Sequence, residues 1–463
     1  MGFEGNETNR RRFLRAGAGA VLVGLAGCDG DGSDGTPTQS PRNGMSSETE
    51  SAATAETATD TPDEATTATA TKTPTGTPTP REPAFVPLFD GSSLAGWHRV
   101  FGNAESAVRD GEEGDEPYIE IVADSGTSTT FLSNYQVFDD FVLELEVWID
   151  PAGLNAGIMV RCNTTQDQQK LYGPQVEAEL SGDAAQLQPG GGSGHVYGTE
   201  LGTGYITDLE PHDAFNNGEW NQFTIRFEGE RLRTRVNDER IADIDLGEYD
   251  LLPMGIVALQ VHSGAPDRRV VRYRNVRIKE LDVAEWTRLF NGRNTDGWTN
   301  PLDRGNVSVS DGQLHLSGDQ PFFLFSEDTF EDFVFETWVK ADAEGGILFR
   351  NAGESRLTGY RAEIDPSENT LSGSLYDEGN TKWLKNIEGE DHAQFAFKPE
   401  EWNYYRIMAD GDSLRVWVNG ITTAEVTDDS QLSGGIGLKH GGGDGTIRFR
   451  EMEIKPLGDG ETN

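Results

Sequence analysis

Two short segments of the sequence carry a row of polar side chains that could do acid–base chemistry. In both segments polar and apolar residues alternate, so in a β-strand the polar side chains would project from one face and the apolar ones from the other. The polar positions are Gln175, Glu177 and Glu179 in the first segment and Arg361, Glu363 and Asp365 in the second. A positioned carboxylate can take a proton from a bound molecule, which makes Glu177 and Glu363 candidate general bases.

Cationic and aromatic residues close to the two rows could orient a ligand. Arg161 and Arg350 end apolar segments and could lie beside the carboxylates, while Tyr197 and Tyr376 could donate hydrogen bonds to ligand oxygens. Trp383, in a loop without a counterpart near the first row, could stack on an apolar ligand face. The alternative for each Arg and Glu pairing is a salt bridge that fixes strand order. The predicted ligand-binding set is Arg161, Gln175, Tyr197, Arg350, Arg361, Asp365, Tyr376 and Trp383.

Histidines and metal motifs give a weaker signal. His262 and His440 follow apolar segments and precede glycine-rich loops, so they are either candidate catalytic acids or ordinary loop residues. The seven histidines are scattered, and there is no calcium loop, phosphate loop or nucleophile elbow. The sequence therefore predicts no cofactor, and a divalent cation, although compatible with the acidic residues, has no motif to support it.

The two rows lie at matching places in an internal repeat of about 190 residues, which is long enough for each copy to be a domain. The recurring landmarks, in the same order in both copies, are Leu-Phe-(Asp/Asn)-Gly followed by Gly-Trp (from residues 88 and 289), Gly-Ile-x-x-Arg (from 157 and 346), Gly-x-(Leu/Val)-Tyr (from 194 and 373), Glu-Trp-Asn (from 219 and 401) and Arg-aromatic-Arg (from 272 and 448). The preserved order indicates two copies of one fold.

Within each copy the hydrophobic pattern has a period of two. In residues 141–149 every second residue, from Phe141 to Ile149, is aliphatic or Phe, and the residues between them are Val142, Glu144, Glu146 and Trp148, as in a strand with one apolar face. Similar short runs are separated by Gly, Asn and Asp turns. No segment of either copy has a convincing amphipathic helix pattern. The sequence therefore predicts an all-β protein with two tandem antiparallel β-sandwich domains.

These landmarks resemble the 3-keto-disaccharide hydrolase domain family, whose members have a concanavalin-like, laminin-G-like jelly-roll sandwich. The resemblance covers residues 85–282 and 284–457. It implies action on 3-keto-glycosides, in which the ketone acidifies the C2 proton, a base removes that proton, the group at C1 leaves and water adds. Family members often show Glu-hydrophobic-Gln where the first copy has Gln175-Val176-Glu177 and the second has Arg361-Ala362-Glu363.

Three hypotheses for the function follow. The protein is a hydrolase, or an elimination-type lyase, acting on 3-keto-glycosides or related glycosides. Alternatively, it is a lectin-like protein whose two sandwiches bind glycan without catalysis, gaining avidity from the duplication. A surface spacer is the third reading, and it leaves the repeated outward-facing charges unexplained.

The N-terminal segment resembles an export signal. Residues 9–15 read Asn-Arg-Arg-Arg-Phe-Leu-Arg and precede an uncharged run that ends at Cys28, a pattern similar to a twin-arginine signal with a lipobox. This predicts a signal over residues 1–27 and lipidation of Cys28, so that the exported protein meets the membrane only through a lipid at the outer face of the cell membrane. The alternative is an ordinary N-terminal anchor helix with an incidental cysteine.

Composition predicts a tether after the signal and an acidic surface on the folded part. Residues 28–84 are rich in Thr and Pro, and because they contain no large apolar cluster we expect a disordered stalk. The net charge of −41 argues against nucleic acid as a partner and is typical of proteins from saline environments. Cys162 has no expected disulfide partner and reads as a small packing residue.

Overall fold

The computed structural model of the protein describes residues 83–112, 115–164, 171–181, 192–352, 357–367, 370–390, 393 and 395–458. The predicted signal, the lipidation site at Cys28 and nearly all of the predicted stalk lie outside the described residues. No helix in this part of the chain is long and apolar enough to cross a membrane.

Fifteen described strands form the first sandwich. They are β1 Val86–Pro87, β2 Trp97–Phe101, β3 Glu105–Arg109, β4 Tyr118–Ala123, β5 Thr130–Phe138, β6 Phe141–Ile149, β7 Ala156–Thr164, β8 Leu171–Ala178, β9 Val196–Thr199, β10 Gly204–Tyr205, β11 Asn221–Glu228, β12 Arg231–Val236, β13 Glu239–Asp245, β14 Gly255–Val261 and β15 Arg269–Glu280. They pair antiparallel into an eight-stranded sheet of order β13-β12-β11-β6-β15-β4-β3, with β1 beside β15, and a seven-stranded sheet of order β10-β9-β8-β7-β14-β5-β2.

The second sandwich repeats this topology after a short 3₁₀ turn, Val283–Glu285. Its strands are β16 Thr287–Arg288, β17 Trp298–Thr299, β18 Asn306–Ser310, β19 Gln313–Ser317, β20 Phe322–Phe330, β21 Phe333–Ala341, β22 Gly345–Asn351, β23 Tyr360–Ile364, β24 Leu375–Asp377, β25 Lys382–Lys385, β26 Asn403–Asp410, β27 Ser413–Val418, β28 Ile421–Thr427, β29 Gly434–His440 and β30 Thr446–Pro456. The eight-stranded sheet has the order β18-β19-β30-β21-β26-β27-β28, with β16 beside β30, and the seven-stranded sheet has the order β17-β20-β29-β22-β23-β24-β25. The predicted fold class, two tandem antiparallel sandwiches, is confirmed.

The core of each sandwich follows from the two-residue period of its strands. In β6, Phe141, Leu143, Leu145, Val147 and Ile149 are fully buried between the sheets, and the residues between them face outward. The same alternation runs through β21, so each sandwich encloses its own apolar core.

Several repeated motifs hold the edges of the sandwiches together. The Trp97 indole N–H donates a hydrogen bond to the carbonyl of Leu88 at 2.6 Å, and Trp298 donates in the same way to Leu289 at 2.9 Å. Asn221 donates to the carbonyls of its own loop, and Asn403 repeats this arrangement. These recurrences come from folding requirements shared by the two copies.

The two sandwiches pack against each other through an apolar interface cluster. It contains Phe131, Tyr135, Val137, Met159, Cys162, Leu171, Met254, Ile256 and Ala258 from the first sandwich, Trp286 from the connection, and Val334, Tyr404, Met408 and Trp417 from the second. The Trp417 indole N–H donates to Oδ1 of Asn163 at 3.1 Å across this interface. The seven-stranded sheet of the first sandwich therefore meets the eight-stranded sheet of the second. Burial raises the pKa of the Cys162 thiol in this cluster, in agreement with a packing role.

Buried charges accompany the interface cluster. The Arg406 guanidinium is fully buried and contacts Asp139 and the carbonyl of Val137 from the first sandwich. Lys455 also contacts Asp139, and its Nζ lies 2.6 Å from Oδ2 of Asp282. Each buried cation thus reaches from the second sandwich to a carboxylate of the first or of the connection, which compensates for its loss of water.

Replacing Arg406 with Met should lower the free energy of unfolding by about 3 to 5 kcal/mol, because Asp139 would stay buried without its guanidinium partner. Chemical denaturation measures the change. The control is Arg277→Met, whose surface pair with Glu144 should contribute less than about 1 kcal/mol. Equal losses in the two variants would contradict a structural role for the buried pair.

Candidate functional site

A cleft of about 460 Å³ opens on the outer face of the seven-stranded sheet of the first sandwich. Two of the three polar residues of the first predicted row, Gln175 and Glu177, project into it from β8, while Glu179 lies just after this strand and is not part of the cleft lining. Neighbouring elements add polar and aromatic side chains, namely Asn155, Tyr197, Thr199, Tyr205, Gln260 and His262. The structure thus brings together three residues singled out from sequence around Glu177: Gln175, Tyr197 and His262.

Glu177 is the buried acid at the base of the cleft. Its side chain is 2% exposed and accepts hydrogen bonds from the Asn155 amide at 3.1 Å and the Gln175 amide at 2.9 Å. Burial raises the pKa of Glu177 to about 8, the charge of Glu179 adds to the rise, and the two amides oppose it. Its immediate hydrogen-bond partners are neutral, so the carboxyl can exchange a proton near neutral pH.

A glycine on the adjacent strand gives the Gln175 side chain its position. Gly157 lies opposite Glu177 in the pairing of β7 with β8, and a Cβ at residue 157 would sit 2.8 Å from Cγ of Gln175. Gly346 plays the same part in the second sandwich, where a Cβ would sit 2.5 Å from Cγ of Arg361. The glycine of the repeated Gly-Ile-x-x-Arg motif therefore leaves room for the polar side chain that lies beside the acid, Gln175 in the first copy and Arg361 in the second.

Two tyrosines form the aromatic side of the cleft. Tyr197 and Tyr205 lie opposite each other in the β9–β10 hairpin, with ring centroids 5.4 Å apart in an edge-to-face arrangement. The Tyr205 hydroxyl is buried and has no hydrogen-bond partner among the described residues, and burial raises its pKa, so it remains a neutral donor. Such a hydroxyl can donate to a ligand oxygen that enters the cleft.

His262 lies at the edge of the cleft, directly after β14. Its Nδ1 lies 2.8 Å from the carbonyl oxygen of Ser263, and because a carbonyl only accepts, Nδ1 carries the hydrogen. In the neutral ring Nε2 is then the acceptor, and in the imidazolium it becomes a donor. His262 thus has Nε2 left for a hydrogen bond to a ligand in the cleft.

His262 and His440, both candidate acids from the sequence, occupy positions that differ by one residue between the two copies. Lys439 lies opposite Gly346 as Gln260 lies opposite Gly157, so His440 corresponds to Val261. A shift of one residue turns a side chain to the other face of a sheet. His440 is fully buried and stacks on Phe322 with ring centroids 5.6 Å apart, and burial lowers its pKa.

In the second sandwich, Arg361 and Glu363 of the second predicted row belong to a network of ion pairs, whereas the equivalent residues of the first sandwich line an open cleft. Arg361 lies 3.1 Å from Oε2 of Glu363 and 3.0 Å from Oε1 of Glu378, and Lys439 lies 3.1 Å from the same Glu378 oxygen. Burial raises the pKa of Glu363 to about 7, although the charges of Arg361 and Lys439 oppose the shift. Arg361 and Lys439 stand at the positions of Gln175 and Gln260, so two cations lie near the second acid where two neutral amides lie near the first.

Trp383 has a counterpart in the first sandwich, contrary to the expectation from sequence. It lies opposite Tyr376 in the pairing of β24 with β25, as Tyr205 lies opposite Tyr197. Tyr376 and Trp383 are edge to face at 4.9 Å, and Trp383 is 38% exposed. The two hairpins differ too much in sequence for the match to show before the strands are paired.

Arg161 and Arg350 do not lie beside the carboxylates of the rows. Each has a left-handed backbone, with φ of 50°, where the strand pairing shifts register. The guanidinium reaches the turn that precedes β6 in the first copy and β21 in the second, where Arg161 meets Asp140 at 3.0 Å and Arg350 meets Asp332 at 2.8 Å. In both copies this arginine stabilises a turn of the sandwich.

Asp365 is also placed outside the row to which it was assigned. Its carboxylate accepts backbone N–H groups of Ser367 at 3.0 Å and Leu371 at 2.9 Å, so it caps its own turn. Within the described residues no group of three or more His, Cys, Asp or Glu side chains is arranged to hold a metal ion.

Asn155, Tyr205 and Gln260 are cleft residues that sequence reasoning missed. Asn155 directly precedes the Gly-Ile-x-x-Arg strand, and Gln260 is a polar residue within an otherwise apolar strand. That interruption of the apolar pattern was the available signal for Gln260. For Tyr205 a usable signal was a second tyrosine just beyond the glycine turn that follows Tyr197.

Comparison with known proteins gives a family match over both sandwiches. Residues 84–279 and 285–455 each match the family described as the 3-keto-alpha-glucoside-1,2-lyase-like domain. No curated protein matches the chain in sequence.

Similar solved structures correspond to part of the chain. The carbohydrate-binding module CBM66 from Bacillus subtilis is 17% identical, with a TM-score of 0.30, and the match covers 35% of this chain and 97% of the module. A Bacillus subtilis protein with a galectin-like fold is 14% identical at a TM-score of 0.29, covering 37% and 94%. A beta-glucanase from Bacillus licheniformis is 16% identical at a TM-score of 0.28, covering 37% and 97%.

Replacing Gln175 with Leu should raise the pKa of Glu177 above about 8, because the amide that opposes the effect of burial is removed. A carboxyl-carbon NMR titration of Glu177 measures the shift. Asp365→Asn, which changes a turn of the second sandwich, serves as the control and should leave that pKa unchanged. An unchanged titration in Gln175→Leu would show that the amide does not stabilise the carboxylate.

Proposed function

The chain belongs to the 3-keto-alpha-glucoside-1,2-lyase-like domain family, and from this premise we propose that its first sandwich cleaves 3-keto-glycosides in the cleft around Glu177. The observation that carries the proposal is the environment of Glu177, a buried carboxyl held by two neutral amides in a cleft with aromatic walls. A carboxyl with a raised pKa is suited to take up and return a proton at the same site.

Elimination is the first step of the proposed reaction. The ketone at C3 acidifies the proton at C2, and the Glu177 carboxylate removes it, which leaves an enolate with negative charge on the C3 oxygen. The bond between C1 and the leaving oxygen then breaks and a C1=C2 double bond forms. Tyr205 donates a hydrogen bond to the enolate oxygen, and His262 as imidazolium gives a proton to the departing oxygen.

Addition of water completes hydrolysis. A water molecule attacks C1 of the unsaturated ketone, passes its proton to His262, and the now protonated Glu177 returns a proton to C2. Both groups end in their starting states. Release of the unsaturated sugar before water adds would make the same site a lyase.

The second sandwich has a different role in this proposal, namely binding without catalysis. Glu363 is paired with Arg361, and removal of a proton by this carboxylate would compete with the ion pair. The exposed Trp383 ring beside Tyr376 offers an apolar face of the kind on which sugar rings stack. This arrangement favours the lectin-like alternative for the second copy.

The proposed location of the protein is outside the cell. This part rests on the sequence of residues 9–28, with its arginine pair, apolar run and Cys28. A lipid on Cys28 would anchor the sandwiches to the outer face of the membrane through residues 29–84.

Replacing Glu177 with Gln should reduce kcat on a 3-keto-disaccharide by about 10² to 10⁴, because the amide keeps the shape of the side chain and cannot accept the C2 proton. The matched variant Glu363→Gln should keep nearly all of the activity. Release of free sugar, followed by chromatography, measures both. Equal loss in the two variants would contradict the assignment of catalysis to the first sandwich, and a fully active Glu177→Gln would exclude Glu177 as the base.

For a 3-keto-glycoside of a nitrophenol, whose leaving group needs no proton from His262, kcat/KM should increase with pH up to about 8 and then level off. Glu177 must be ionised to act as the base, and burial keeps its carboxyl protonated below its pKa of about 8. A pH–rate profile between pH 5.5 and about 9.5 tests this expectation. A profile that levels off near the ordinary pKa of a glutamic acid would contradict the assignment, and Glu363→Gln should leave the profile unchanged.

A further inference from the structure

We propose that the second sandwich forms the end wall of the first sandwich's cleft and limits it to glycosides that carry the 3-keto sugar at their non-reducing end. This inference rests on the proposed function and concerns the substrate that the cleft admits. The wall is an arrangement of two domains, since a single sandwich would leave this side of the sheet uncovered.

In the first sandwich, the outer face of the seven-stranded sheet is divided into a polar and an apolar part. Along β14, Gln260 lines the cleft while Ala258 and Ile256 belong to the interface cluster. Along β7, Gly157 lies under Gln175 in the cleft, and Met159 belongs to the interface cluster. The cleft and the interface are therefore adjoining parts of one sheet face.

The second sandwich covers the apolar part closely. The turn that joins β27 to β28 lies against this face, because a Cβ at Gly420 would sit 2.6 Å from Cγ2 of Ile256 and 3.1 Å from the carbonyl oxygen of Asn134. The backbone N–H of Thr422 donates to Oγ1 of Thr164 at 2.9 Å. Direct contact and hydrogen bonds fix the second sandwich beside the cleft.

Two residues belong to the cleft and to the interface at the same time. Phe131 and Leu171 line the cleft, and both are members of the interface cluster with Tyr404 and Trp417 of the second sandwich. A ligand that extended past these side chains would run into the packed interface. The cleft is thus closed on the side of Phe131 and Leu171.

The second sandwich shows what the same sheet face looks like without such a neighbour. Phe323 stands at the position of Phe131, since it lies opposite Lys439 as Phe131 lies opposite Gln260. It clusters with Phe325 and Leu348, and the cover comes from Leu302 and Leu357 of its own loops. Covering by a whole domain is therefore particular to the first copy.

The chemistry of the reaction decides which end of the sugar meets the wall. Every substrate carries its leaving group at C1, so the C1 side must point to the open part of the cleft. The wall then faces the opposite, C4 side of the keto sugar. A keto sugar with a further sugar attached on that side would clash with Phe131 and Leu171.

Binding of three ligands to Glu177→Gln tests the wall by calorimetry, since this variant should bind without turning over the sugar. The ligands are a 3-keto-disaccharide, a trisaccharide with the keto sugar at the non-reducing end, and a trisaccharide with the keto sugar in the middle. We expect the first two to bind alike and the third to bind about 100-fold more weakly, a difference of about 2.7 kcal/mol. Equal binding of all three would overturn the wall and leave the proposed function standing. Binding of none would overturn both.

A pair of variants tests the same inference by enlarging the cleft. Phe131→Ala should remove part of the wall and reduce the preference for the terminal keto sugar at least tenfold. Phe323→Ala is the matched control, because both phenylalanines are 8% exposed and occupy equivalent positions. It should leave the preference unchanged. An unchanged preference in a folded Phe131→Ala protein would contradict the wall, and the ligand series decides the matter if that variant does not fold.

Discussion

A side chain in either seven-stranded sheet lies in the sandwich core or on the outer face, and its place in the two-residue period of the strand decides which. Gln260 and Lys439 are both on the outer face, while Val261 and His440 are both inside. The cleft, the ion-pair network and the interface between the sandwiches all depend on this alternation. Glycines at 157 and 346 extend it, because they allow a long polar side chain from the next strand to lie flat across the sheet.

The two copies show how little is needed to change the chemistry of a conserved position in a repeated fold. Glu177 on β8 and Glu363 on β23 occupy equivalent positions in the two copies, and burial raises the pKa of both. Two neutral residues of the first sheet, Gln175 and Gln260, are replaced by Arg361 and Lys439 in the second, which provides a cationic network around the second acid. The first acid keeps neutral donors and an open cleft. Under the proposed function, one seven-stranded sheet carries the chemistry while its copy in the second sandwich carries binding.

The parts of this molecule that depend on local patterns can be predicted from its sequence. Alternation along residues 141–149 and the ordered landmarks were enough for two sandwiches, and the first polar row places Gln175 and Glu177 in one cleft. The errors arose where a residue's position depends on pairing with a distant strand. The left-handed backbone at Arg161 turns its side chain away from the row, and the register of β29 moves His440 inside. Tyr205 and Trp383 become equivalent only when their hairpins are paired, a relation that no local pattern contains.

The acidic composition gives the contact between the sandwiches a further constraint. A chain with a net charge of −41 repels itself, and two acidic domains brought together must have cations at their boundary. Arg406 and Lys455 supply them, because both reach Asp139, and Lys455 also reaches Asp282. Burial strengthens these pairs and shields them from salt, whereas the repulsion between exposed carboxylates is screened by it. The joint between the sandwiches is therefore held by interactions that survive in concentrated salt, and the apolar cluster beside them keeps the cleft and its neighbouring domain in one fixed arrangement.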